Sequence, residues 1–137
     1  MTQDTGRRSR RVLIIEDEMD MRFYLMTMVK SLGHEPVLAQ NGVQGLDRLA
    51  DGPVDLIILD VMMPEKGGGP VYKQIHTDPR FRQIPVIVFS GVNRDAFCHY
   101  VKMLNTDPDL NIPEPKYYVE KSADPDYLKG VIRGCIR

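Results

Sequence analysis

Cysteine is scarce: two residues, Cys98 and Cys135, lie far apart and match no metal-binding or redox spacing. This excludes a disulfide scaffold or zinc ribbon and fits free thiols in a reducing, cytoplasmic setting. Charge of one sign is lacking too. Eighteen Lys and Arg against nineteen Asp and Glu leave a formal net charge of −1, which argues against wholesale binding to nucleic acid or membrane. No apolar run approaches the length of a membrane span, and no apolar stretch follows the basic N-terminus as a secretory signal requires. A repeat of roughly 20–50 residues, the mark of a solenoid, is absent. So are a GxGxxG after the first apolar run and a P-loop lysine motif.

What remains is a chain of 137 residues, 42% hydrophobic and 27% charged, enough for one domain with a core that needs no staples. Its first residues, with Arg7, Arg8, Arg10 and Arg11, have no hydrophobic period. They predict a flexible basic tail over residues 1–10, and no aromatic is interleaved to suggest a nucleic-acid arm. From Arg11 the pattern is regular. Val12–Ile15 is a short apolar run ending in acid, as expected of a strand covered on both faces. Met21, Leu25, Met28 and Leu32 recur at helical spacing, a core stripe stopped by Gly33. Strands follow at Pro36–Ala39, Val54–Leu59, Pro85–Phe89 and Tyr117–Glu120. Helices are expected at Val43–Ala50, Val71–His76, 94–104 and Pro125–Ile136. Residues 105–116 form the one long irregular loop. Alternating strands and helices predict a parallel sheet flanked by helices on both faces.

In such sheets, sites form just beyond the carboxyl ends of the strands. The first strand ends in Glu16-Asp17, the third in Asp60 and the fourth in Ser90, while the fifth leads through Glu120 to Lys121. Each alone has a duller reading. Acids after a strand often cap the next helix, serine is a common turn residue, and lysine is usually a solvated charge. Their coincidence at successive strand ends is different. Like charges about 4 Å apart repel by roughly 4 kcal/mol at an effective dielectric near 20, so three carboxylates want a cation among them. Oxygen ligands favour Mg2+, which binds through one or two carboxylates and a phosphate oxygen. With a lysine beside it, Asp60 becomes a candidate nucleophile toward a phosphoryl group.

At this point the chain resembles the receiver domain of two-component response regulators. VLIIEDE looks like that family's first strand and acidic pair, and DLIILDVMMP, with Gly68 eight residues beyond the aspartate, its third strand. IPVIVFSG and YYVEKS resemble its fourth and fifth strands. The resemblance implies a flavodoxin-like (βα)5 fold, α/β and doubly wound, with strand order 2-1-3-4-5, over residues 11–137. It implies that Asp60 accepts a phosphoryl group from a sensor histidine kinase or histidine phosphotransfer protein. Mg2+ would be held by Asp17, Asp60 and the backbone carbonyl of Met62, with Glu16 acting through water. Lys121 would pair with the phosphate, while Ser90 and Tyr118 would act as the switch. The face of the fourth helix, fifth strand and fifth helix would then engage a downstream protein effector or a phosphorylation-dependent homodimer. Such a regulator is not an enzyme beyond slow self-phosphorylation and self-dephosphorylation.

Two features depart from the family pattern. Ser122 stands where proline, often after a cis peptide, usually follows the lysine. The stretch between Ser90 and Lys121 is also roughly ten residues longer than usual, with the excess expected in 105–116, where Pro108, Pro113 and Pro115 discourage helix. Such a loop would alter partner choice or dimer geometry. Two other readings compete. An aspartyl phosphatase of the haloacid-dehalogenase type would need an acid where Met62 stands. A phosphorylation-independent pseudo-receiver would be expected to lose the acid pair or the acceptor. A DNA-binding effector is not expected, since the chain closes on the fifth helix. Met62 and Val92, apolar beside the acceptor, point to slow hydrolysis.

Overall fold

The computed structural model describes residues 9–61 and 68–136. Five strands, β1 (Arg11–Ile15), β2 (Glu35–Ala39), β3 (Leu56–Leu59), β4 (Val86–Ser90) and β5 (Tyr117–Glu120), form one parallel sheet in the order 2-1-3-4-5. Helices α1 (Met19–Ser31), α2 (Gly42–Asp51), α3 (Gly68–Thr77), α4 (Arg94–Leu104) and α5 (Pro125–Cys135) connect them. This is the flavodoxin-like architecture expected from the sequence.

The near-continuous apolar strands conceal a period of two. Val12, Ile14, Leu56, Ile58, Ile87, Phe89 and Val119 face α1 and α5, which cover them with Leu25, Met28, Val29, Leu128 and Ile132. The alternating set Leu13, Ile15, Ile57, Leu59, Val86 and Val88 packs under α2, α3 and α4, against Leu49, Val71, Tyr72, Ile75, Phe97 and Val101. Burial on both faces explains why these strands carry no polar alternation. Inner strands β1, β3 and β4 are buried along almost their whole length, whereas edge strand β2 is only half covered.

Helix ends follow local chemistry. The side chains of Asn41, Asn93 and Asp124 accept N–H bonds from Gln44, Ala96 and Asp126, capping α2, α4 and α5. Gly33 adopts φ +85 just past α1, the left-handed turn that glycine enters freely, and so confirms the expected stop. Two boundaries moved by more than one residue. Strand β3 starts at Leu56 rather than Val54, which is buried ahead of the ladder. Helix α3 starts at Gly68 rather than Val71, because Pro70 is tolerated in a first turn, where no N–H partner is required. Of the expected basic tail, residues 1–8 lie outside the described residues. Arg10 is bound to the sheet: its N–H donates to His34 Nδ1 at 3.1 Å and its carbonyl accepts from Glu35 at 2.8 Å. No described helix is long and apolar enough to cross a membrane.

Candidate functional site

The sheet order reverses between β1 and β3, and the polar residues of both strand ends open there into one hollow. Backbone bonds set its floor. Asp60 N–H donates to Ile15 O at 3.0 Å, Glu16 N–H to Ala39 O at 3.1 Å, and Lys121 N–H to Ser90 O at 2.9 Å. Glu16, Asp60 and Lys121 therefore each follow directly on a backbone bond at the end of a strand.

The carboxylates of Glu16, Asp17 and Asp60 each offer an oxygen, and these oxygens all lie within 4.8 Å of one another. Lys121 reaches across from the end of β5. Its Nζ stands 3.1 Å from Asp60 Oδ2 and 3.2 Å from Glu16 Oε1. Glu16 is fully buried and Asp60 is 2% exposed, while Asp17 lies open at the rim. The capping explanation for these acids is weak. The N-cap of α1 is Glu18, whose side chain makes no capping bond, although its N–H donates to Glu16 Oε2 at 3.1 Å. Arg22 ties the loop down from α1, its Nη1 donating to Glu16 O at 2.9 Å and Asp17 O at 3.4 Å.

Electrostatics follow from this crowding. Burial, then the neighbouring Asp60 charge, push Glu16 up to about 7, against the pull of the Glu18 N–H and of Lys121. Burial works against the Lys121 charge, but Asp60 and Glu16 overcome it and hold the ammonium above its ordinary value. With all three carboxylates ionised, three negative charges and one positive leave −2 in the hollow, the charge that one divalent cation cancels. The donor set fits such an ion: all-oxygen, compact, and open to water at Asp17.

Ser90 is fully buried at the end of β4, and its Oγ accepts from Val92 N–H at 3.1 Å. Tyr118, from the adjoining strand, donates its hydroxyl to Val92 O at 2.6 Å. Serine and tyrosine thus grip the same residue of the β4–α4 loop from its two sides. Burial raises the Tyr118 hydroxyl above its ordinary value, so it remains a donor at neutral pH. Met62, expected to contribute a backbone carbonyl, lies outside the described residues. At Ser122 the chain turns, with Ala123 N–H on Glu120 O at 2.9 Å, and no cis peptide occurs among the described residues.

Two positioning residues were not singled out as such from the sequence. Arg22 is one. Its only signal was a basic residue one turn into α1, which solvation explains equally well. Gly68 is the other, quoted merely as part of a motif. A methyl group there would collide with the carbonyl of Asp60 and the Cα of Val61, both rigid backbone. Gly68→Ala is therefore expected to cost about 1–3 kcal/mol. Urea unfolding checks this; an unchanged midpoint would mean that the two backbones separate freely.

Fold and pocket together define an open, doubly wound α/β domain with a carboxylate cluster at the switch point of its sheet. The family model "Response regulator receiver domain" matches residues 12–110, and the chain belongs to that family. Response regulator MprA of Mycobacterium sp. (strain KMS) is 31% identical over 105 residues, covering 77% of this chain and 44% of that protein. The chain thus spans less than half the length of the curated relatives of this kind. Among solved structures, chemotaxis protein CheY4 of Vibrio cholerae superposes with a TM-score of 0.78 at 18% identity, covering 93% of this chain and 99% of that one. Response regulator TrrA of Thermotoga maritima, solved in complex with Mg2+ and BeF, gives 0.72 at 27% identity, covering 92% and 98%. Receiver domains are regulatory modules of two-component systems that work with histidine kinases and downstream effectors.

Proposed function

We propose that this domain accepts a phosphoryl group on Asp60 from a phosphohistidine of a sensor kinase or phosphotransfer protein, and that the modified state engages a downstream protein. The observation that carries this reading is the convergence of three carboxylate oxygens within 4.8 Å under a lysine that touches two of them. A merely structural site has no use for so much uncompensated charge. The binding of Mg2+ and BeF by TrrA supports the same chemistry.

Asp17 and Asp60 would hold Mg2+, with the Met62 carbonyl and a water on Glu16 completing its shell. The ion neutralises charge on the phosphoryl oxygens when bound. Asp60 then attacks phosphorus: an O–P bond forms as the N–P bond breaks, and the imidazole nitrogen leaves with the electron pair. Lys121 turns from the carboxylates toward a phosphoryl oxygen. Ser90 follows by exchanging its Val92 N–H bond for one to another phosphoryl oxygen, and Tyr118, held on the same loop, moves with it. The face of α4, β5 and α5 reports the change, either to an effector or to a second copy of the domain, in the cytoplasm.

The test is incubation with acetyl phosphate, with and without Mg2+, followed by intact-mass analysis. A mass gain of one phosphoryl group that needs both Mg2+ and Asp60 is expected. No gain from acetyl phosphate or from any phosphorylated kinase would leave the pseudo-receiver reading in its place.

A further inference from the structure

The segment joining α4 to β5 is irregular, yet it is built into the molecule. The Asn105 side chain closes it on itself, donating to Ile112 O at 2.8 Å and accepting from Ile112 N–H at 2.7 Å. Ile112 is 3% exposed and sits in the core under α3 and α4, with Leu110 packed beside it. Pro113 O accepts the hydroxyl of Tyr72 at 2.6 Å, and Pro115 O accepts from Arg94 at 3.3 Å. Anchors on α3 and on both ends of α4, with prolines limiting the backbone between them, make this a strap with few conformations of its own.

The strap is joined to the phosphoacceptor site by an unbroken series of contacts. Ser90 Oγ and the Tyr118 hydroxyl hold Val92. The Tyr118 ring lies 6.1 Å from that of Phe97, and Phe97 meets Tyr72 edge-on at 5.1 Å. Phe97 is 4% exposed and Tyr72 is 1% exposed, so neither ring can turn without displacing its neighbours. Tyr72 then carries the series to Pro113.

We propose that residues 105–116 form a second output element, which reads the state of the Ser90–Tyr118 latch through Phe97 and Tyr72. A shift of Tyr118 changes the space beside Phe97. The edge-on contact passes that change to Tyr72, and the buried hydroxyl bond transmits it to the strap. A packed core has discrete arrangements rather than continuous ones, so a small displacement at the latch selects between strap positions. The exposed side chains of Asp107, Asp109 and Glu114 ride on the strap and would move with it. This inference rests on the phosphoacceptor reading above.

Backbone amide NMR spectra of the full chain with Mg2+, before and after beryllofluoride, supply the test. Amides of Ser90–Asn93 and of Leu110, Asn111, Ile112, Glu114 and Lys116 are expected to shift together. In Tyr72→Phe, and independently in Phe97→Leu, the shifts at 90–93 should persist while those at 110–116 largely vanish. Because it loosens an element coupled to the latch, Tyr72→Phe should also change the apparent beryllofluoride affinity by roughly threefold or more. A strap that stays still while 90–93 move, or that moves equally in both variants, would overturn the inference and leave the phosphoacceptor reading intact. Silence at 90–93 in the parent chain would instead remove both.

Discussion

Asp60→Asn is expected to abolish phosphoryl labelling and, with it, the stabilisation of the domain by Mg2+. The substitution keeps the shape of the side chain but removes both the proposed nucleophilic oxygen and one of the three charges that would hold the cation. An ion at tenfold its dissociation constant adds about 1.4 kcal/mol to the folded state, near 5 °C in melting temperature for a domain of this size. The parent should show that rise, and the variant little of it. Without divalent ions the order reverses, because Asp60 faces two like charges and a single ammonium. The variant should then melt no lower than the parent. Thermal melts in EDTA and in MgCl2 measure both halves, and equal Mg2+ shifts in the two proteins would place the ion elsewhere.

The second large effect is on pH dependence. Glu16 ionises near its ordinary 4.5 in the unfolded chain but holds its proton to about 7 when folded. Between these values the unfolded state binds fewer protons than the folded one, so stability from this group declines as pH rises, on the order of 3 kcal/mol in all. Below the window the contribution is fully present; above it the loss is complete. Glu16→Gln stays neutral throughout, and its stability relative to the parent should climb from pH 4.5 to 7 and then level off. Mg2+ favours the ionised cluster, so it should flatten the difference. Parallel urea midpoints for parent and variant across this range would show that Glu16 titrates as an ordinary surface acid.

Much of this was legible in the sequence because the signals were local and repeated. Apolar runs ending abruptly in Glu16, Asp60 and Ser90 placed the strand ends, and parallel-sheet topology places such ends at one edge. Gly33 and Pro125 marked helix limits for reasons of backbone geometry alone. What stayed hidden depended on contacts between distant residues. Nothing in Gly68 announces which carbonyl lies against it, and nothing in Arg22 says that its guanidinium closes on the backbone of the acid pair. Residues 105–116 read as loop because prolines exclude helix. Their anchoring by Asn105, Tyr72 and Arg94 arises only once α3 and α4 stand side by side. The sharing of Lys121 between Glu16 and Asp60 likewise requires the ends of three strands to meet.

That shared lysine makes the resting pocket self-occupied. An arriving anion would compete with Glu16 for the ammonium group, and a metal ion that drew Glu16 toward itself would free the lysine for the newcomer. On the proposed function, cation and phosphoryl donor would then be mutual allies, each easing the entry of the other.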